Sequence, residues 1–432
     1  MVNDTANFIA GFGFIPSDWS CKSANEICTK ISKGTTPPKS EISDMGEIPF
    51  LRVNNLTFKG RLAPDSDFIY VSKDAHENFL ARSMAFPNDI LMNIVGPPLG
   101  KTALLDDSYP EYNMNQAIVF YRLQKNLVDS KYFLEFLNSF KAQQWLQSRS
   151  KKTSGQQNLT IEICKELPII LPSLLEQKKI AQILLTWDQA ILTTEKLLQN
   201  SQQHKKALMQ QLLTGKKHLL DENNVEFSED WNEYLLGNLG NTFTGLTGKT
   251  KDDFGSGVPY ITYMNIFKNS RIDINQVDYV IVEEDENQNS VRYGDIFFTT
   301  SSETAEEVGM SSVLLEEVER LYLNSFCFGF RLNNFKVLLP QFAAFILRSS
   351  NIRKQISILG QGATRYNLSK NQLMKLILKL PTIAEQKKIA EVLTLSDQEI
   401  ETLQKKLDCL KQEKKALMQQ LLTGKKRVKV AA

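Results

Sequence analysis

The sequence KKALMQQLLTGKK stands at Lys205–Lys217 and again, unchanged, at Lys414–Lys426, and EQKKIA stands at Glu176–Ala181 and at Glu385–Ala390. Both pairs have one separation, since 414 − 205 and 385 − 176 are each 209. No residue has been gained or lost between the two blocks in either copy. An insertion in a helix rotates its apolar face by about 100° per residue, so gapless spacing favours continuous helix over loop. A repeat at this period calls for one unit used twice, a globular segment followed by a long amphipathic helix.

Hydrophobic period supports the helices. In steps of three and four the first copy visits Ile180, Leu184, Trp187, Ile191, Thr194, Leu198, Ser201, Lys205, Leu208 and Leu212, seven of ten apolar. The second visits Ile389, Leu393, Ser396, Ile400, Leu403, Leu407, Leu410, Lys414, Leu417 and Leu421, eight of ten apolar. These are coiled-coil seams. Pro172 and Pro381 stand near the starts, while Gly215 and Gly424 with flanking lysines supply the stops. Each helix is expected over about 42 residues, roughly 63 Å. The seams are expected to pack on each other as an antiparallel pair; the alternative is two independent helices, each covering its own domain. The expected boundaries are residues 1–170 (first domain), 171–217 (central helix), 218–379 (second domain) and 380–428 (C-terminal helix).

The preceding segments repeat more faintly. Phe133, Phe136, Arg122 and Asn158-Leu159 match Phe342, Phe345, Arg331 and Asn367-Leu368 at 209, while Asp18-Trp19 pairs with Asp230-Trp231 and Asp89-Ile90 with Asp295-Ile296 at drifting offsets. Strand-like runs are Ile48–Val53, Ile118–Leu123, Val258–Tyr263, Tyr279–Val282 and Phe326–Leu332, and helical patches are Lys131–Leu146 and Leu339–Leu347. The expected class is α+β: two similar mixed α/β domains separated by two long antiparallel coiled-coil helices, pseudo-two-fold symmetric.

Composition narrows the function. Apolar residues at 42% and charged residues at 23% suit a soluble globular chain. No secretory signal and no apolar run of about 18 residues is visible, so a cytoplasmic protein without membrane association is expected. Five scattered cysteines oppose a disulfide framework and a zinc site. His204 and His218, in a lysine-rich stretch, read as solvated surface. Net charge is only +2, so any nucleic-acid surface must be local or shared with other subunits.

Catalytic motifs fail on spacing. Gly96–Thr102 has three residues between its glycines and Gly245–Thr250 has two, where a phosphate loop needs four. Gly11-Phe12-Gly13 follows no strand pattern, and Asp65 with Asp67 lacks a nuclease-type Glu-x-Lys. There is no methyltransferase Asn/Asp-Pro-Pro-Tyr/Phe motif. The residues point to a binding subunit without catalytic or metal residues; a protein-binding scaffold is the competing reading.

Paired domains, each closing on Leu-Pro-x-x-x-x-Glu-Gln-x-x-Ile-Ala and a helix ending Leu-Leu-Thr-Gly-Lys, resemble the specificity (S) subunits of type I restriction–modification systems. Lys33–Pro37, Ile48–Asn55, Asp89–Leu91, Val258–Asn265 and Thr299–Gly309 also resemble that family's target-recognition domains. Gly245-Leu246-Thr247-Gly248 departs from the Gly-x-Thr-Pro pattern. The resemblance implies that each domain reads half of a bipartite site on double-stranded DNA and that the helices set the spacer. It also implies two modification (M) subunits, which carry S-adenosylmethionine and methylate adenine, and restriction (R) subunits, which use ATP and Mg2+. No cofactor is implied in this chain.

Base readout uses Arg or Lys for guanine and Asn or Gln for adenine. Candidate DNA contacts are polar loop residues at which the copies differ. In the first domain these are Lys33, Thr35, Arg52, Asn54, Asn55, Asn93, Lys101, Asn115 and Gln156. In the second they are Thr247, Lys249, Tyr263, Asn265, Thr300, Ser301, Glu303, Arg365 and Tyr366. The favoured pair of segments is Gly155–Asn158 and Gly362–Arg365.

Overall fold

The computed structural model describes residues 7–64, 68–153, 156–362 and 365–429. Asp65, Asp67, Gly155, Ala363 and Thr364 lie outside the described residues. The chain divides into two compact units, Met1–Glu195 with Lys406–Ala432, and Lys196–Lys405.

In the first unit a four-stranded antiparallel sheet runs in the order Thr102–Leu104, Ile90–Asn93, Ile118–Leu123, Cys28–Lys33. Its central strand shows why a buried sheet reads as a continuous apolar run. Val119 and Tyr121 point into one core with Phe133 and Phe136, whereas Ile118 and Phe120 point into a second with Leu51, Tyr112 and Met114. Ile48–Leu51 runs antiparallel to Ile69–Val71 and parallel to Asn113–Met114. Val95–Gly96 joins Gln156–Asn158 and Lys151–Thr153 in a small sheet, and Ser20–Ser23 pairs with Pro168–Leu171.

The second unit repeats this topology, although among the described residues the hairpin of Asn7–Ile9 with Gly13–Ile15 and the separate edge strand Ile42–Ser43 belong to the first unit alone. Its main sheet runs Ser311–Val313, Ile296–Thr299, Cys327–Leu332, Gly240–Thr244. Phe254–Ile261 is antiparallel to Val277–Val280 and parallel to Tyr322–Leu323. Ser301–Ser302, Tyr366–Leu368 and Gly360–Gln361 form the small sheet, and Asn232–Leu235 pairs with Ile377–Leu380. The first helical patch differs from expectation: it is two helices, Ser130–Asn138 and Phe140–Arg149, because Ser139 turns extended and caps the second through its hydroxyl. The second patch is the single helix Pro340–Ile346, where it was expected, and a further helix, Ser350–Leu359, follows it with Ser349 as its cap. The expected α+β class is the observed one.

The long helices are Leu174–Leu212 and Ile383–Leu421, 39 residues each. No seam position in either is exposed. In the first unit Asp188 meets Lys414 at 2.6 Å and Glu195 meets Lys411 at 3.1 Å, which sets the segments antiparallel. In the second, Lys205 pairs with Asp397 and His218 with Glu385 in the same sense. The charged interruptions of the seam, Lys205 and Lys414, are thus the residues that find an aspartate on the facing helix. Such polar layers fix register more than they add stability.

The repeated EQKKIA block has a structural cause at its glutamate, glutamine, isoleucine and alanine. Gln177 is buried and ties the helix start to the chain around it: its amide nitrogen donates to the carbonyls of Leu127 (3.1 Å) and Pro172 (3.0 Å), and its oxygen accepts from Asp129 N. Gln386 does the same with Val337 (2.7 Å), Pro381 (3.0 Å) and Leu339 N. Ile180, Ala181, Ile389 and Ala390 are buried in the domain cores. Glu176 accepts from Trp19 Nε1 (3.2 Å) and from Arg427, which also forks onto Asp18. Glu385 accepts from His218 Nδ1 at 2.8 Å. His218 is therefore not a solvated surface residue; it stands 209 positions before Arg427 and occupies the same place in its unit. Gly215 and Gly424 end the helices at φ 67° and 71°, the left-handed stop that glycine allows.

Candidate nucleic-acid interface

The faint repeats outside the helices build the platform under the candidate loops. Arg122 forks onto buried Asp89, and Arg331 onto buried Asp295, each closing the turn before the strand that leads to a candidate loop. Gly34 and Gly245 have one requirement in common. A Cβ on Gly34 would lie 2.1 Å from the carbonyls of Met114 and Asn115, and one on Gly245 would lie 2.1 Å from that of Asn324. The chain passes too close for any side chain, whichever residues follow the glycine.

Several candidates serve the scaffold. Asn55 is fully buried and accepts from Arg52 N at 2.7 Å. Its counterpart Asn265 is buried too and donates to the carbonyls of Asp273 and Gln276, both at 2.8 Å. Asn93, fully buried, fastens the following loop by donating to Val95 and Pro98 carbonyls and accepting from Lys101 N. Lys249 is spent on Glu286, whose carboxyl it holds down at about 2. Thr300 donates to the Phe326 carbonyl, Asn115 accepts from Ala117 N, and Thr35 accepts from Arg82 Nε at 3.0 Å. Lys33, Asn54 and Thr247 are exposed, and Arg52 and Lys101 are half-buried. The Gln156 backbone is in its strand; its side chain lies outside the described residues.

The second domain gathers its candidates. Tyr263, Ser301, Glu303 and Arg365 line one cleft of about 480 Å³, together with Met264, Phe267, Glu307 and Phe326. Tyr263 follows Thr262, whose hydroxyl caps the short helix Tyr263–Lys268, and its ring stacks on Phe267 at 5.9 Å. The Tyr263 hydroxyl donates to the Ser301 carbonyl at 2.8 Å, and burial raises its pKa. Ser302 pairs with Tyr366, so one further step of that antiparallel register sets Glu303 across from Arg365. Both are exposed, and among the described residues neither they nor Glu307 spend their charge on an ion pair or a side-chain hydrogen bond. Met264 and Phe326 add exposed apolar surface at 47% and 68%.

Sequence reasoning missed the clamps behind this cleft. Arg353 donates to the carbonyls of Glu306 (2.8 Å), Val308 (2.6 Å) and Gly309 (2.6 Å), and so fixes the loop carrying Glu303 and Glu307. Arg348 likewise gathers the carbonyls of Ile266, Asn269 and Ser311. Both arginines follow the expected helical patch Leu339–Leu347, and nothing in the sequence marks them as carbonyl clamps. Among the described residues no group of three His, Cys, Asp or Glu could hold a metal ion, and no helix is long and apolar enough to cross a membrane.

Known proteins fit this architecture. The family model for the type I restriction modification DNA specificity domain matches residues 16–201 and again 228–412. Relatives include the MjaX and MjaVIII type I restriction enzyme specificity subunits of Methanocaldococcus jannaschii. The first is 28% identical over 433 residues, covering 96% of each chain. The second is 28% identical over 323 residues, covering 71% of this chain and 72% of the relative. Among solved structures, the S subunit of a type I restriction–modification system from M. genitalium superposes with a TM-score of 0.56 at 16% identity, over 100% of this chain and 99% of that one. The HsdS subunit from Thermoanaerobacter tengcongensis gives 0.51 at 15% identity, over 95% and 98%. The chain, matched twice over most of its length, belongs to the family of type I restriction–modification specificity subunits, non-catalytic components with two target-recognition domains.

Proposed function

We propose that this subunit reads a bipartite site on double-stranded DNA, one half with each target-recognition domain, and that the two long helices set the distance between the halves. One observation carries the reading. The two domains share the main sheet, the small sheet, the strand pair before each long helix and the buried residues that fasten them, yet differ where loops leave that scaffold. Pro97 stands where the other domain has Glu303, Gln156 where it has Arg365, and Asn54 where it has Met264. A common platform with unlike rims suits two readers of unlike sequence.

On this reading the exposed candidates Lys33, Asn54, Thr247, Glu303 and Arg365, with Arg52, Lys101, Tyr263, Ser301 and Tyr366, face DNA. The buried Asn55, Asn93 and Asn265 hold the loops that present them. Two M subunits bind this chain and bring S-adenosylmethionine, and R subunits add ATP- and Mg2+-dependent cleavage. The low net charge fits a division in which partners supply much of the phosphate contact. The competing reading, a protein-binding scaffold, predicts no DNA dependence. The test is DNA binding by the complex with its M subunits at rising salt. Site-specific binding that weakens steeply with salt supports the proposal, and equal affinity for all sequences contradicts it.

A further inference from the structure

We propose that the cleft of the second domain reads a G·C base pair in the major groove, with Arg365 taking the guanine and Glu303 the cytosine. The inference rests on the DNA-reading role proposed above and adds the chemistry of one position. DNA carries a negative charge about every 1.7 Å of its axis. A free carboxylate facing it is repelled unless it accepts hydrogen bonds from the bases. In the major groove the base donors are the amino groups of cytosine and adenine; guanine offers two acceptors, O6 and N7, that match the fork of an arginine. One free guanidinium beside one free carboxylate is therefore the complement of a G·C pair. An A·T pair, with adenine offering one donor and one acceptor, is matched by an amide side chain instead.

The local geometry suits the assignment. Glu303 and Arg365 leave neighbouring ends of an antiparallel strand pair and are both exposed, yet no ion pair joins them. Arg353 fixes the loop behind Glu303 through three carbonyls. The stacked Tyr263 and Phe267, with exposed Phe326, supply flat apolar walls that a base edge or sugar covers. At the matching register the first domain carries Pro97 and Gln156, so the charge pair belongs to the second domain alone.

The experiment is competitive binding by the complex with its M subunits, using duplexes in which each base pair of its methylated motif is replaced in turn. Wild type is expected to discriminate at one or more G·C positions in the second-domain half. Glu303→Ala, Arg365→Ala and Arg365→Lys should each lose roughly tenfold to hundredfold discrimination at the same G·C position, the other half-site being unaffected. Arg365→Lys keeps the charge, and hence the attraction to phosphate, and so isolates base readout from general affinity. Unchanged discrimination, loss at an A·T position, or loss at different positions for the two residues would overturn the inference while leaving DNA reading intact. A wild-type complex that methylates no defined motif would overturn the DNA-reading proposal as well.

Discussion

At the residue scale, the most repeated letters of the sequence are fasteners. Gln386 satisfies three backbone groups at a buried helix start. Gln386→Leu strands them, and the second domain is expected to lose about 2–4 kcal/mol in urea unfolding. Glu135 gives a pH prediction. Burial lifts its carboxyl from the ordinary 4.5 to about 7, against the pull of Lys414 and with a push from Asp188. The folded chain then holds this proton more tightly than the unfolded chain, so stability should fall as pH rises from about 4.5 to about 7. Glu135→Gln should flatten that slope in urea unfolding measured across the window; an unchanged slope would assign it to other groups. Which asparagines reach a ligand was not legible in sequence. Asn54 and Asn55 look alike there, and only the fold shows that one is exposed while the other caps its own turn.

At the element scale, the helices were legible because period 3.5 and gapless repetition report one continuous buried face. Their observed ends lie a few residues inside the expected ones. The strands Ile118–Leu123 and Cys327–Leu332 were legible as apolar runs for the same reason, burial on both faces. The break at Ser139 was not, since a serine within a helical patch reads as helix until its backbone is seen to be extended; nor was the helix Ser350–Leu359, which follows the second patch. The seam carries its own test. Leu393 is fully buried, and Leu393→Ala should cost about 2–5 kcal/mol. Lys414 pairs with both Asp188 and Glu135, so a double-mutant cycle of Lys414→Met with Asp188→Ala in thermal unfolding should show a coupling of about 0.5–3 kcal/mol, and additive losses would contradict the pairing.

At the scale of the whole molecule, the proposed division of labour makes the two domains exchangeable and the helices a spacer. A heptad added to both helices should widen the gap in the methylated motif and leave both half-site sequences as they were. The most direct test of the central claim is base-resolution mapping of methylated DNA from cells expressing this subunit with its M partner, beside a chimera in which residues 1–170 come from another specificity subunit. The account predicts a bipartite motif for the parent and a chimera that changes one half while keeping the other. A chimera in which both halves change, or neither does, would contradict it.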